Sequence, residues 1–278
     1  MKRIYIATIH WQSDYWIDIQ CKYIEKYIPP PYSIFACLNG IDIKPHVNKF
    51  DYINTDKIKD HGTKLNLLST EILKHANDED LILFLDGDAF PISNLRMLAK
   101  KYLDKHPLIA VQRKENLGDI QPHPCFCLTT AKFWKTIKGN WQKGNFTWKN
   151  SEGRNINDVG GSLLDILNKN NIDWMPLNRS NEIDFHPVMF GVYHNVVYHH
   201  GMGFRKPASR IDRVNSKGFE RRRKRFILAK KILPLDLCKS LLSPYNKVFR
   251  KNKKLNKKVL SWIETDSEFY RRFYKETP

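Results

Sequence analysis

The sequence is poor in cysteine, and it has no apolar run of the roughly 18 to 20 residues that a membrane span needs. Its five cysteines are odd in number and scattered. Cys125 and Cys127 are two residues apart, which is not the C-x-x-C spacing of a zinc or redox motif. The N-terminal stretch MKRIYIATIHWQSD begins basic, but its apolar part is too short and too polar for a signal peptide. These absences predict a cytoplasmic chain with reduced thiols.

Internal repeats and low-complexity linkers are also missing before residue 215. Hydrophobic residues make up 41% of the 278 residues and aromatic residues 12%, which is enough for a packed core and too much for a disordered chain. The length fits one large domain, or one domain with an appendage.

Positive charge is concentrated in one segment. The net charge is +18, yet residues 205–258 contain 20 Lys and Arg against only Asp212, Glu220 and Asp236. The rest of the chain is nearly neutral, so the basic segment is a local feature added to a nearly neutral body.

Short apolar runs alternate with helical patterns along the first 200 residues. Strands are predicted at residues 3–9, 33–39, 81–86, 108–112 and in NVVYHHG near residue 198. Helices are predicted after His61-Gly62-Thr63, after Ser93-Asn94, around Phe133–Ile137 and in VGGSLLDILNKNN. This alternation predicts an α/β domain with a mostly parallel sheet.

The segment LILFLDGDAFPI, residues 81–92, leads an apolar strand directly into Asp86-Gly87-Asp88. A strand without alternation is covered on both faces, and ligands of open α/β sheets bind at the carboxyl ends of the strands. Two carboxylates one residue apart repel each other unless a cation lies between them, and their oxygens suit Mg²⁺ or Mn²⁺. Gly87 is expected to let a phosphate approach the backbone. The alternative is a surface turn, because Asp-Gly is a common turn pair.

A second motif follows the last predicted strand. HGMGFRKP, from His200 to Pro207, has the form H-x-x-G-x-x-K-P. Together with the D-x-D it resembles the GT-A-fold glycosyltransferases, most closely the retaining enzymes of glycosyltransferase family 8. The resemblance covers about residues 3 to 210. It departs from the family at Ala208, where the family usually continues K-P-W, so a distant sister family is the alternative to membership.

The resemblance implies a Rossmann-like GT-A domain over residues 1–215, and the charge and helical pattern predict a basic, helical extension over 216–278. It implies transfer of a sugar from a nucleotide-sugar, with a UDP-sugar favoured, to a glycan or lipid-linked glycan acceptor. Assembly of bacterial lipopolysaccharide or capsule is the expected role, and retention is the expected stereochemistry.

The metal site implied by the resemblance consists of Asp86, Asp88 and His200, a mixed oxygen and nitrogen set compatible with Mn²⁺ or Mg²⁺. Lys206 would neutralise the departing nucleoside diphosphate, and Gly203 belongs to the same donor-binding motif. His199 is expected to point to the other face of its strand and to be structural. The alternatives are a backbone-bonded His200 and a Lys206 that merely begins the basic tail.

Other candidates for the donor precede the metal strand. Thr8 and His10 close the first strand, where this fold usually contacts the base and ribose. His61 and Lys64 are expected to reach the ribose or the phosphates, and the alternative is a helix start with solvated side chains.

Asp158 is the candidate for the reaction itself. In an inverting enzyme it would be the general base that deprotonates the acceptor hydroxyl. In a retaining enzyme it would position the acceptor or stabilise the oxocarbenium-like sugar. The alternative is a cap for the helix that follows Gly160-Gly161. His123 is a further candidate for acceptor contact, and the alternative is that it only shapes a proline-rich loop.

The basic extension mixes charged and apolar residues, and Leu255, Val259, Trp262 and Ile263 share one helical face. This pattern predicts peripheral docking on the anionic inner face of the cytoplasmic membrane. A nucleic-acid-binding protein is the competing class, but it leaves both motifs unexplained, so no nucleic-acid partner is predicted. If the extension instead packs on the domain, truncation near Lys217 would unfold the protein.

Overall fold

The computed structural model describes residues 2–204, 212 and 218–275. Its strands are, in chain order, β1 (Ile4–Trp11), β2 (Tyr32–Asn39), β3 (Tyr52–Asn54), β4 (Leu81–Asp86), β5 (Ala89–Pro91), β6 (Leu108–Val111), β7 (His123–Thr130), β8 (Trp148–Lys149), β9 (Asn155–Ile156), β10 (Met175–Leu177), β11 (Gly191–Tyr193) and β12 (Val197–His199). Its α-helices are α1 (Tyr15–Tyr27), α2 (His61–Ile72), α3 (Leu95–Tyr102), α4 (Ala131–Thr136), α5 (Gly161–Lys169), α6 (Phe219–Ala229), α7 (Leu235–Leu242) and α8 (Tyr245–Thr265). Two short 3-10 helices span Lys44–Lys49 and Phe269–Phe273.

Seven strands form the central sheet in the order β10-β6-β7-β4-β1-β2-β3. Neighbouring strands pair in parallel, except that β7 runs antiparallel to both β4 and β6. The predicted α/β class with a mostly parallel sheet is therefore confirmed. The segment around His123, for which a proline-rich loop was an alternative, instead begins the buried strand β7.

Helices cover both faces of this sheet. Because successive strand residues face opposite sides, Ile4 and Ile6 of β1 pack in the same cluster as Ile17 of α1. Ala7 and Ile9 of β1 belong to the cluster that contains the buried residues of α2, α4 and α5. Whether a β1 residue has an odd or an even number therefore decides which helical layer its side chain enters.

A smaller antiparallel sheet, β11-β12-β5, brings the two sequence motifs together. β5 begins directly after Asp86-Gly87-Asp88, and β12 pairs with it so that His199 lies opposite Ala89. The strand that precedes the H-x-x-G motif thus lies beside the D-x-D turn.

The C-terminal part of the chain is built into the domain. α8 and the following 3-10 helix bury Val259, Ile263, Phe269 and Phe273 in a cluster that also contains Trp16, Tyr23, Phe90, Phe190 and Tyr198. Within the predicted extension 216–278, residues 255–274 therefore belong to the core rather than to an appendage. Removing the extension at Lys217 would expose that core, which is the outcome named above for an extension that packs on the domain.

The five cysteines are free, as expected for reduced thiols. No helix in the described ranges combines the length and apolar character that crossing a membrane requires.

Replacing Phe269 by Ala should lower the free energy of unfolding by about 3–5 kcal/mol, because its ring is completely buried among aromatic side chains. Leu228→Ala is the matched control: that side chain is 61% exposed, so the change should be within about 0.5 kcal/mol. Urea unfolding followed by tryptophan fluorescence measures both. A small effect for Phe269→Ala would show that the C-terminal segment does not belong to the core.

Candidate metal and donor site

Asp86 and Asp88 lie on either side of a tight turn between β4 and β5. Asp86 is the last residue of β4, and Asp88 is only 4% exposed. The backbone N–H of Gly203 donates to Asp88 Oδ2 at 2.8 Å, and that of His200 donates to the Asp88 carbonyl at 2.9 Å. A Cβ on Gly203 would lie 2.6 Å from the Asp88 side chain, so only glycine allows this close approach.

The third group that faces these carboxylates is His199. Its Nε2 lies 3.5 Å from Asp88 Oδ1 and 3.8 Å from Asp86 Oδ2. The candidate ligand atoms of the three residues all lie within 4.8 Å of one another. Neighbouring ligands about 2.1 Å from an octahedral Mg²⁺-sized ion are roughly 3 Å apart. The three side chains therefore fit a divalent cation with little rearrangement.

His200 faces away from the carboxylates. Its Nδ1 hydrogen-bonds with the Tyr198 hydroxyl at 3.0 Å, and its Nε2 lies 2.6 Å from Asn256 Oδ1. Burial lowers the pKa of His200 to about 4. The expectation that His200 joins Asp86 and Asp88 while His199 is structural is corrected: both ring nitrogens of His200 are engaged elsewhere, and strand alternation puts its neighbour on the carboxylate side.

Neighbouring groups keep Asp88 ionised. Burial acts to raise the pKa of Asp88, but His199, His200 and the Gly203 N–H together lower it well below its usual range. His61 Nε2 lies 3.0 Å from Asp86 Oδ1. Burial acts to lower the pKa of His61, and the charge of Asp86 raises it overall. Asp88 is therefore a carboxylate at neutral pH, the form that binds a cation.

Gln20 in α1, which the sequence analysis missed, fixes the turn from behind. Its Nε2 donates to the carbonyls of Asp86 at 2.8 Å and Ala89 at 2.7 Å. Its Oε1 accepts from Thr8 Oγ1 at 2.8 Å and lies 3.2 Å from His10 Nε2. One buried amide thus connects β1, α1 and both sides of the D-x-D turn.

Thr8 and His10 do not line the cleft, which corrects their predicted contact with base and ribose. Both are even-numbered residues of β1, so their side chains enter the α1 layer, where burial lowers the pKa of His10 to about 4. Ile9 and Trp11, on the opposite face, line the cleft instead. Gly87 also lines it, although a Cβ there would lie 2.5 Å from the Ile9 carbonyl, so packing against β1 already requires glycine.

The side of the cleft next to β1 and α2 carries an indole and two basic side chains. Trp11 is 49% exposed, and Lys64 Nζ lies 5.7 Å from its ring centroid. Lys64 is buried, which lowers its pKa. His61 and Lys64 both line the cleft, and their contact with the ribose or the phosphates stays a prediction.

Asp158 lines the cleft from the part of the chain that follows β7. It is exposed, and its Oδ1 accepts the backbone N–H of Val159 at 2.8 Å. The N-cap residue of α5 is Gly160, in a left-handed conformation and without a side-chain cap. Asp158 is therefore not the helix cap, and it remains available to a ligand in the cleft.

Arg113 also lines the cleft, and no sequence pattern identified it. Its Nη2 donates to the Val188 carbonyl at 3.2 Å, and its Nη1 lies 3.5 Å from His123 Nε2. Its Nε lies 3.9 Å from Glu115 Oε1 and has no hydrogen-bond partner among the described residues. A guanidinium in the cleft lining is suited to an anionic ligand.

The cleft has a volume of about 410 Å³, within the roughly 300–1,000 Å³ typical of small-molecule sites. It brings together these predicted residues: His61, Lys64, Asp86, Gly87, Asp88, His123, Asp158 and Gly203. Lys206 lies outside the described residues, so its role stays a prediction.

No protein-family model matches this chain, and no curated protein matches it in sequence. Among solved structures, residues 1–349 of S. aureus TarS are 13% identical, with a TM-score of 0.44; the match covers 98% of this chain and 81% of that one. Another structure of that TarS fragment is a complex with UDP-GlcNAc. The glycosyltransferase GlyE of Streptococcus pneumoniae TIGR4 is 15% identical with a TM-score of 0.40, covering 64% of this chain and 45% of that one.

This chain spans only 30% of a longer TarS structure. Likeness at these identities and scores is too low to indicate a shared activity.

Asp119, which interacts electrostatically with Asp158, has a raised pKa. It is 5% exposed and accepts a hydrogen bond from Asn116 Nδ2 at 2.7 Å. Burial raises its pKa from 3.8 to about 6, and the charge of Asp158 adds to the increase. The folded state therefore binds more protons than the unfolded state between these two values.

Stability should consequently fall as the pH rises from about 4 to about 6. Asp119→Asn keeps an oxygen acceptor for Asn116 but removes the titration. At neutral pH the variant should be more stable than the parent by about 3 kcal/mol, with little difference near about pH 4. Urea unfolding at the two pH values measures this, and a difference independent of pH would contradict the assignment.

His199→Ala should weaken Mn²⁺ binding by at least about tenfold, because it removes the nitrogen that faces both carboxylates. His200→Ala is the matched neighbour: it should lower the melting temperature by breaking the contact with Asn256 but leave the Mn²⁺ affinity nearly unchanged. Mn²⁺ titration followed by electron paramagnetic resonance gives both affinities. The reverse pattern would restore His200 as the ligand.

Proposed function

We propose that this chain is a metal-dependent glycosyltransferase of the GT-A type, which transfers a sugar from a nucleotide-sugar to a glycan acceptor. The observation that carries the proposal is the convergence of Asp86, Asp88 and His199 at one cleft. This cleft lies at the carboxyl ends of β1 and β4, the usual ligand position of an open α/β sheet.

Charge explains why a nucleoside diphosphate fits this cleft. Asp86, Asp88 and His199 would hold Mn²⁺ or Mg²⁺, which when bound would neutralise charge on the departing diphosphate. Lys64 and Arg113 add positive side chains from two parts of the cleft lining. Lys206 remains a further predicted cation for the same leaving group.

The nucleobase is assigned to Trp11 in place of Thr8 and His10. An indole that is half exposed at the carboxyl end of β1 offers an apolar plane, and stacking of a base on an aromatic ring stabilises binding by about 1–3 kcal/mol. A UDP-sugar remains the favoured donor, on the strength of the resemblance of the two motifs.

Asp158 is the residue proposed to act on the acceptor side of the cleft. It is exposed to the cleft and is not the cap of α5. Under retention, which the resemblance to family 8 favours, it would position the acceptor or stabilise the oxocarbenium-like sugar. Under inversion it would be the general base.

The proposed role is assembly of a bacterial surface glycan, such as lipopolysaccharide or capsule. The acceptor would then be a glycan or lipid-linked glycan at the inner face of the cytoplasmic membrane. The competing class, a nucleic-acid-binding protein, gives no reason for an imidazole and two carboxylates to converge in a cleft.

A screen of nucleotide-sugars with Mn²⁺ should reveal release of nucleoside diphosphate, with EDTA abolishing it. Asp86→Asn should reduce turnover by about 100-fold or more, because it removes charge from the metal site.

Asp158→Asn should reduce transfer to an acceptor while leaving Mn²⁺ and UDP affinity unchanged. NMR of the first-formed product would show the anomeric configuration.

Glu152→Gln is the matched control for Asp158→Asn, since Glu152 is a nearby acid that pairs with Arg154. It should leave transfer unchanged. Full turnover in EDTA, or tight binding of an oligonucleotide at physiological salt without UDP binding, would refute the proposal.

A further inference from the structure

Exposed aliphatic side chains are concentrated in one short segment of the C-terminal region. The exposed members between residues 227 and 237 are Ile227, Leu228, Ile232, Leu233, Leu235 and Leu237. Ile232 is 84% exposed and Leu228 is 61% exposed, so these side chains make little contact with the rest of the described chain. A patch of this kind on a folded domain marks an interaction site.

Basic side chains lie among these aliphatic residues. The exposed ones are Arg221, Arg223, Lys224, Arg225, Lys230 and Lys231. Residues 218–242 contain eight Lys and Arg against only Glu220 and Asp236. We call these six aliphatic and six basic residues the α6–α7 surface.

The orientation of α6 explains the combination. Phe219 is buried and its ring lies 5.1 Å from that of Tyr245 in α8, so this side of α6 faces the domain. Residues 221, 224, 225 and 228 recur at helical spacing on another side of the helix. That outward side therefore carries three cations and Leu228, and the connection to α7 adds Lys230, Lys231 and Ile232.

We propose that the α6–α7 surface docks the protein on an anionic lipid bilayer. The aliphatic side chains would enter the interfacial region while the Lys and Arg side chains meet the anionic headgroups. A lipid-linked acceptor of the proposed transferase would lie in the same membrane. The docking proposal rests on the proposed function only in this respect. It also moves the docking surface from the Trp262 helix, whose Val259 and Ile263 are buried in the core.

Charge and chemistry select the bilayer over other occupants. A second copy bound through the same surface would bring two positive patches together, which opposes association. A nucleic acid would use the cations but gains no stacking from Ile and Leu side chains. Only an interface that is both anionic and apolar contacts the Lys and Arg side chains as well as the aliphatic side chains of this surface.

The test is co-sedimentation of the full chain with phosphatidylcholine vesicles, with and without phosphatidylglycerol, in the absence of donor and metal. Binding is expected only with phosphatidylglycerol. Lys230→Gln with Lys231→Gln should weaken it by about 5-fold for each charge removed. Leu228→Ser with Ile232→Ser should weaken it by roughly tenfold for each side chain.

Lys100→Gln with Lys101→Gln and, separately, Met97→Ser are the matched controls, because these residues of α3 are equally exposed. They should bind vesicles like the parent, and melting curves should be unchanged for every variant. Absence of binding by the parent would overturn the proposal. An unchanged affinity of the Leu228→Ser, Ile232→Ser variant would also overturn it, because binding would then be to charge alone, as a nucleic acid would provide. Equal loss in the α3 controls would show attraction by net charge rather than by this surface.

Because the vesicle assay contains no donor, its failure leaves the transferase proposal standing. Conversely, a chain that binds vesicles but has no donor turnover would retain the docking surface and lose the proposed activity.

Discussion

The arrangement of the site depends on the burial of one ionised carboxylate. Asp88 is almost inaccessible to water, and a buried charge is tolerated only when it is hydrogen-bonded and paired. The Gly203 N–H donates to Asp88 and the His199 ring lies 3.5 Å from it, which meets part of that requirement. A divalent cation would meet it more fully, since its charge would balance both Asp86 and Asp88. The same constraint that stabilises the turn therefore prepares it to bind a metal.

Groups distant in sequence hold this carboxylate in place. Gln20 binds the two carbonyls of the D-x-D turn from α1, and the antiparallel pairing of β5 with β12 brings His199 alongside. His200 donates its backbone N–H to Asp88, and its ring is held by Asn256 of α8. The C-terminal helix thus supports the residue next to the proposed ligand. This link explains why residues 255–274 belong to the domain and not to a separate docking tail.

The sequence predicted the features that depend on local pattern. The run LILFLDGD identified β4 and its turn, and Ser93-Asn94 identified the start of α3, where Asn94 caps the helix. The sequence did not predict which side of a strand each residue faces, because a shift of one residue reverses the side. His199 and His200 point to opposite sides, and so do Ile9 and His10. The sequence also could not say what covers an amphipathic helix. The apolar face of α8 was predicted, but its partners, Trp16 and Tyr198 among them, come from remote parts of the chain.

The central claim is that Asp86, Asp88 and His199 form one divalent-cation site. A crystal structure of the full chain soaked with Mn²⁺ and UDP, with data collected at the manganese absorption edge, tests it directly. The account predicts one strong anomalous peak about 2.0–2.3 Å from a nitrogen of His199 and from oxygens of both aspartates. A manganese ion bound elsewhere, or one that takes His200 as its ligand while His199 turns away, would contradict it.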